Sequence, residues 1–410
     1  MKVVILWYSY FYEIKGICEG HMREKINYLD GVRGFAALVV VFGHFINAYY
    51  PALLTANIED SHFNNFIDVK LADTPFNLMF NGYFAVSIFF VLSGFVLTNK
   101  FFKSGENEFI ISSATRRYIR LAIPVVFSCT VAYLLLKFNL FSNNELANYT
   151  KGYWYLPNYY NFEASFADMI KKSLVDTFIY EVDSTSYNAV LWTMEIEFLG
   201  SLLVYSLALL IGRLRNRSVI YLILVILFAK TYYLSFLLGL IISDVYNNRT
   251  SLFNPIKNVY CKLLLICIGL FLGSFPQVVD ISNSVYNYIT FEWLGGRYYS
   301  MLLCHILGAS ILLIVLLNSK FLKTTFSLKP FQFLGEISFS MYLIHFIILF
   351  SFSGKLTLFL SDKTGYHTNF IISFCVSLIL IFAISKIMTV YIDNIGVKFS
   401  KYVYNKFFRS

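Results

Sequence analysis

The sequence predicts an all-α, polytopic integral membrane protein with about ten transmembrane helices and both termini cytoplasmic. Three observations carry this reading. Hydrophobic residues make up 58% of the 410 and charged residues only 14%, against about 25% charged in soluble domains. Several apolar runs reach the roughly 20 residues that a bilayer crossing needs. The lysines and arginines gather in alternate short loops, as orientation signals do. A soluble chain of this length has no core large enough for so much apolar surface.

Charge and cysteine usage narrow the function classes. The net charge of +9 comes from loop residues that anchor spans, and no basic helix interleaved with stacking aromatics points to nucleic acid. Aromatic residues, 19% of the chain, suit interfacial belts and packing in lipid. The six cysteines form no CxxC pair and read as small packing residues. The six histidines show no ligand spacing, so no metal site is expected. Residues 1–21 carry Glu13, Lys15 and Glu19 after a weak apolar start and show no small-residue cleavage site. They read as an extension, with Met22 the expected true start, a membrane domain over residues 22–396 and a basic cytoplasmic tail over 397–410.

In chain order, the first expected span runs from Leu29 to Tyr50, followed by an outside loop with Glu59, Asp60, Asp68 and Asp73. The second runs from Phe76 to Asn99. A cytoplasmic loop with Arg116, Arg117 and Arg120 leads into a third that ends near Phe138. A long stretch rich in Tyr and Asn, Asn139 to Tyr187, separates it from the fourth, Asn188 to Gly212. Lys230 divides Val219 to Tyr246 into two short spans, the fifth and sixth. The seventh ends near Phe275, the eighth covers Gly295 to Leu317, the ninth Phe331 to Phe352 and the tenth Asn369 to Tyr391. This count puts nearly every basic cluster on one side and the acidic loops on the other.

Five groups of residues could carry chemistry. Arg33 and His44 stand eleven positions apart in the first span, which at about 100° per residue puts them on one helix face roughly 16 Å apart. Ionisable groups inside a span normally face a cavity or a bundle interior. Asp30 lies three positions before Arg33 and can pair with it. Ser93 sits in Phe-Val-Leu-Ser-Gly-Phe, either a packing notch or part of a cavity wall. Arg117 and Arg120 share a face at the membrane surface, where arginine forks suit phosphate oxygens and also serve as anchors. Trp192, Glu195 and Glu197 open the fourth span, and the two carboxylates point to different faces. Ser338, Tyr342 and His345 follow one another around the ninth span as a polar lining, though His345 alone also fits a structural role.

Taken in order, these residues resemble the membrane-bound acyltransferase-3 family. The matching elements are Leu-Asp-Gly-x-Arg-Gly with Arg33 and His44, Phe-Phe-Val-Leu-Ser-Gly-Phe, Arg-x-x-Arg at Arg117 and Arg120, Trp-x4-Glu at Trp192 and Glu197, and Gly-x-Ile-Ser-x-Ser-x-Tyr-Leu-x-His from Gly335 to His345. The chain departs from the family pattern in Trp-Thr-Met, in Ser-Phe-Ser-Met-Tyr, and in Tyr391-Ile392-Asp393-Asn394 where Ile-Glu-x-Pro is usual. No counterpart of the extracytoplasmic hydrolase-like domain fused to some relatives is expected within these 410 residues.

The resemblance implies O-acylation of a cell-surface polysaccharide or lipid-linked glycan in a bacterial-type cytoplasmic membrane, with acetyl-CoA as donor and no metal. Arg33, Arg117 and Arg120 would then hold the CoA phosphates. His44 would act as base or carry the acyl group, with Glu197 orienting His44 or the acceptor from the outer side. Asp30, Ser93, Trp192, Ser338, Tyr342 and His345 would line the cavity. Membrane lipid would be the other partner, with no role for nucleic acid. A multispan transporter of an acyl group or glycolipid is the rival reading, because buried Arg, Glu and His also suit coupled transport.

Overall fold

The computed structural model describes residues 26–180 and 185–408. The expected extension, Met22, Cys18, Glu181, Asp183 and Arg409 lie outside them. Among the described residues there is helix and no strand.

Ten principal helices occupy the ten apolar stretches: α1 Asn27–Tyr49, α2 Gly82–Ser104, α3 Asn107–Lys137, α4 Trp192–Ile211, α5 Arg217–Leu227, α6 Tyr233–Asn248, α7 Val259–Gly273, α8 Arg297–Asn318, α9 Lys329–Ile348 and α10 Tyr366–Met388. The last two continue through π-helical turns, Leu349–Ser353 and Thr389–Asp393, into Gly354–Leu360 and Asn394–Phe407.

The count of crossings differs from the expected ten. Seven helical segments among the described residues are long and apolar enough to cross, or eight with the bent pair Thr250–Lys257 and Val259–Gly273, whose axes turn by 96°. The correction falls at α5 and α6. With 11 and 16 residues they rise only about 16 and 24 Å, short of a hydrocarbon core of about 30 Å. The turn around Lys230 divides their apolar run, and α6 is short because it is an interior helix. A Cβ on Gly94 would fall 2.1 Å from the Phe236 carbonyl oxygen, and one on Gly239 would fall 2.2 Å from that of Val91. Backbones at that distance leave room only for glycine.

The same device joins α1 to α9, which run parallel. A Cβ on Gly34 would stand 2.2 Å from the Gly335 nitrogen, and one on Gly31 would stand 2.0 Å from the Phe326 oxygen. Ten residues beyond Gly34 and Gly335 come His44 and His345, so the glycine seam determines that the two rings meet. The segments between the spans close one end of the bundle. There His62 stacks on Tyr366 with centroids 3.6 Å apart and bonds the Thr150 carbonyl at 2.9 Å. Asn188 Nδ2 donates to the Leu343 carbonyl at 2.7 Å, tying the approach to α4 onto α9.

Candidate active site

Each of four helices turns one stripe of side chains inward. The stripes are Arg33, Val40, His44 and Asn47 on α1; Tyr83, Val86, Phe90, Ser93 and Leu97 on α2; Thr193 and Glu197 on α4; and Ser338, Tyr342 and Phe346 on α9. Their steps of three, four or seven are helical repeats. They enclose two cavities, of about 170 Å³ and about 220 Å³, that follow one another along the bundle.

The smaller cavity holds the charges. Arg33, Arg117, Arg120, Glu197 and Asp393 line it, together with Ser93 and Ser338. Arg117 is buried and pairs with Glu197 through Nη2 while its Nε donates to Ser201 Oγ at 3.2 Å. Ser93 Oγ donates to the same carboxylate at 2.9 Å. Glu197, expected to orient His44 or the acceptor, instead fixes Arg117, because one turn into α4 its side chain already faces the charged cavity. Asp393, reached through the π-helical turn, stands within the field of Arg120 and has a buried Oδ1 with no partner among the described residues.

The larger cavity holds His44. None of the described residues lining it is charged; its walls are Trp154, Tyr155, Tyr159, Trp192, Tyr83 and Phe346, with Asn47, Asn77, Asn81 and Gln277 between them. His44 Nδ1 lies 2.6 Å from the Tyr155 hydroxyl. Burial holds the Tyr155 phenol well above its ordinary value, so it stays protonated and serves as a hydrogen-bonding partner. When Nδ1–H donates to the Tyr155 oxygen, the basic lone pair of His44 is at Nε2. Asn47 Oδ1, one turn from His44, and Trp154 Nε1 are buried without partners among the described residues, one an acceptor and one a donor.

Two residues expected in the lining stand behind it. Asp30 pairs with Arg33 at 3.5 Å, with its backbone in the seam against Gly335. His345 is fully buried, its Nδ1 bonded to the Met341 carbonyl at 3.0 Å and its ring 5.2 Å from that of His44. Three positions from Tyr342, it faces α1 instead of the cavity. Sequence reasoning missed Tyr155, Asn47, Trp154 and Asp393. Asn47 follows the Arg33–His44 stripe and was accessible to the same helical arithmetic; the others were not.

Comparison with known families identifies the chain's relatives. The family model described as "Acyltransferase domain", of the acyltransferase-3 type, matches residues 26–386. The chain belongs to the acyltransferase-3 family. It is 24% identical over 407 residues to "Acyltransferase clz18" of Cochliobolus lunatus, covering 83% of this chain and 86% of the relative. It is likewise 24% identical over 443 residues to "O-acetyltransferase PaAT-1" of Phomopsis amygdali, covering 96% and 87%. "Acyltransferase R4" of Phoma sp. is 23% identical over 426 residues, covering 87% and 90%. No match to a solved structure was found. Family membership and the long apolar helices make this an integral membrane acyltransferase.

Proposed function

We propose that the enzyme transfers an acyl group, acetyl above all, from acyl-CoA bound at the arginine-lined cavity to a hydroxyl of a neutral carbohydrate or lipid-linked glycan in the His44 cavity. The observation that carries this reading is the division of chemistry between adjoining cavities. One presents guanidinium groups suited to phosphate oxygens. The other is uncharged and aromatic, with an unpartnered acceptor at Asn47 and donor at Trp154 beside a histidine. Aromatic faces with a few convergent polar groups suit a polyhydroxylated ligand.

In the proposed step, His44 Nε2 takes the proton of the acceptor hydroxyl as its oxygen attacks the acyl carbon. The carbon–sulfur bond breaks, and the proton passes to the departing thiolate. Tyr155 keeps the imidazole in the required tautomer. His44 as a transient acyl carrier is the covalent variant of the same chemistry. We assign the arginine end to the cytoplasmic face, as the neighbouring basic residues Lys323, Arg213 and Arg217 support, and the setting to a bacterial-type cytoplasmic membrane. The relatives compared are fungal, and the mechanism depends on sidedness, not on organism. The name PaAT-1 carries the word O-acetyltransferase, which supports acetyl as the group moved and oxygen as its destination.

The test is purified protein with labelled acetyl-CoA and a panel of neutral and acidic glycans. Label is expected in a neutral glycan with wild type and in none with His44→Ala at matched expression. Label that persists with His44→Ala would remove the histidine from the mechanism. Movement of a glycan without labelling would favour transport.

A further inference from the structure

The two cavities meet at one aromatic side chain. Tyr342 lines both, and Val86 is the other residue they share. From α9 the Tyr342 hydroxyl reaches across to the turn that leads into α4, where it donates to the Val190 carbonyl at 2.8 Å, and it has the hydroxyl of Thr193, on α4, 2.9 Å away. The Phe89 ring stands edge-on to it at 6.2 Å. Tyr342 is only 7% exposed, so the ring is a wall with a polar latch.

We propose that Tyr342 is a movable partition between the donor and acceptor cavities. Latched to Val190 and Thr193, it keeps water and acceptor in the His44 cavity away from a thioester waiting at the arginine end. Swung aside, it lets the thioester reach His44. The inference rests on the acyl-CoA reading for its purpose but not for its geometry. An open partition would permit a wasteful reaction. Water's oxygen would bond to the acyl carbon, the carbon–sulfur bond would break, and the products would be free acid and CoA thiol, one water proton going to each. Exclusion of water until the acceptor is in place is what a closing side chain contributes. Two neutral hydrogen bonds are weak enough for ligand binding to release, which is why a hydroxyl latch suits the position better than an ion pair.

The experiment uses full-length protein in liposomes, with Asn47→Cys or Ser338→Cys as the probed thiol in a background whose native cysteines are serine. A membrane-impermeant maleimide is added to one side at a time. With Tyr342 present, each probe is expected to label from one side, opposite for the two. With Tyr342→Ala, both should label from both sides. One-sided labelling in Tyr342→Ala, or two-sided labelling with Tyr342 intact, overturns the partition. This arm needs no acyl-CoA, so its failure is distinct from failure of the transfer reading.

A second arm measures release of labelled acetate from acetyl-CoA without acceptor. Tyr342→Ala is expected to raise it about tenfold or more. Tyr342→Phe and Thr193→Val, which keep the packing and remove latch bonds, should give smaller increases. Unchanged release in all three, with transfer intact, overturns the proposal.

Discussion

His44 and Tyr155, separated by 111 positions in the chain, meet through Nδ1 and the phenolic oxygen at 2.6 Å. One comes from a membrane helix and the other from the segment that closes over it. The His44 ring is thus oriented by a residue outside the spans.

Removing that hydroxyl should slow transfer without much change in acceptor binding. Tyr155→Phe is expected to lower kcat about tenfold, the worth of roughly one hydrogen bond, and to leave KM nearly unchanged. His44→Ala should cost about 10²–10⁴-fold, the range for a lost general base. Steady-state kinetics on matched preparations decide this; a Tyr155→Phe enzyme with a raised KM and normal kcat would show that Tyr155 contacts the acceptor instead.

The Arg117–Glu197 pair makes a prediction about stability. Both side chains are largely buried, at 10% and 15% exposed, so deleting one charge strands the other. Glu197→Gln is expected to cost roughly 3 kcal/mol or more, whereas Glu197→Gln combined with Arg117→Gln should recover part of the loss. Thermal unfolding in detergent measures both. A double variant less stable than either single one would mean that the two charges act independently.

The α1–α9 seam can be tested with its own control. Gly34→Ala forces a methyl to within 2.2 Å of the Gly335 nitrogen, while a Cβ on Gly82 would meet nothing within 4 Å. The first should lower folded yield and transfer together; Gly82→Ala, at a position on the wall of the His44 cavity, should leave folded yield near wild type. Equal behaviour of the two variants would show that the seam tolerates spreading.

A fourth prediction concerns pH. Burial lowers the His62 imidazole below its ordinary 6.5, between Tyr366 and the Thr150 carbonyl. Below that pH the unfolded chain takes up a proton that the folded clamp refuses. The contribution of His62 is therefore complete above about 6.5 and is lost as pH falls through the lowered folded value. Between pH 7.5 and 5, the melting temperature of wild type should fall further than that of His62→Gln. Parallel curves would remove His62 as the titrating group.

How much of this was legible depended on whether one helix or two held the information. Arg33, His44, Ser338 and Tyr342 lie at helical spacing, so periodicity alone put each pair on a common face, and the ten apolar stretches marked the ten helices. Periodicity does not say how far a helix is rotated about its axis in the bundle. That is why Glu197 was aimed at His44 when it faces Arg117, and why His345 was given to the lining when it faces α1. Tyr155 stands in a stretch with no repeat, and its role comes from tertiary folding. Asp393 lies in a π-helical turn, where one extra residue shifts the face that ordinary helical counting assigns. The length of α6 was hidden because hydropathy measures burial, and an interior helix buried in protein reads like one buried in lipid; α5, with Leu222, Ile226 and Leu227 exposed, is a surface helix whose apolar run is simply short.

The uncharged lining of the His44 cavity has a consequence for direction. A path that is ionic at one mouth and neutral at the other is a one-way valve for unlike products. In the proposed reaction, the anionic carrier would have no counter-charge to draw it past Tyr342 and would withdraw by the mouth it entered. The proposed neutral ester, having exchanged a hydroxyl for a more apolar group, would gain nothing from the guanidinium groups and would leave by the other. Vectorial modification of the proposed kind would need no nucleotide hydrolysis or ion gradient, since thioester cleavage would supply the drive and the placement of charge would supply the orientation.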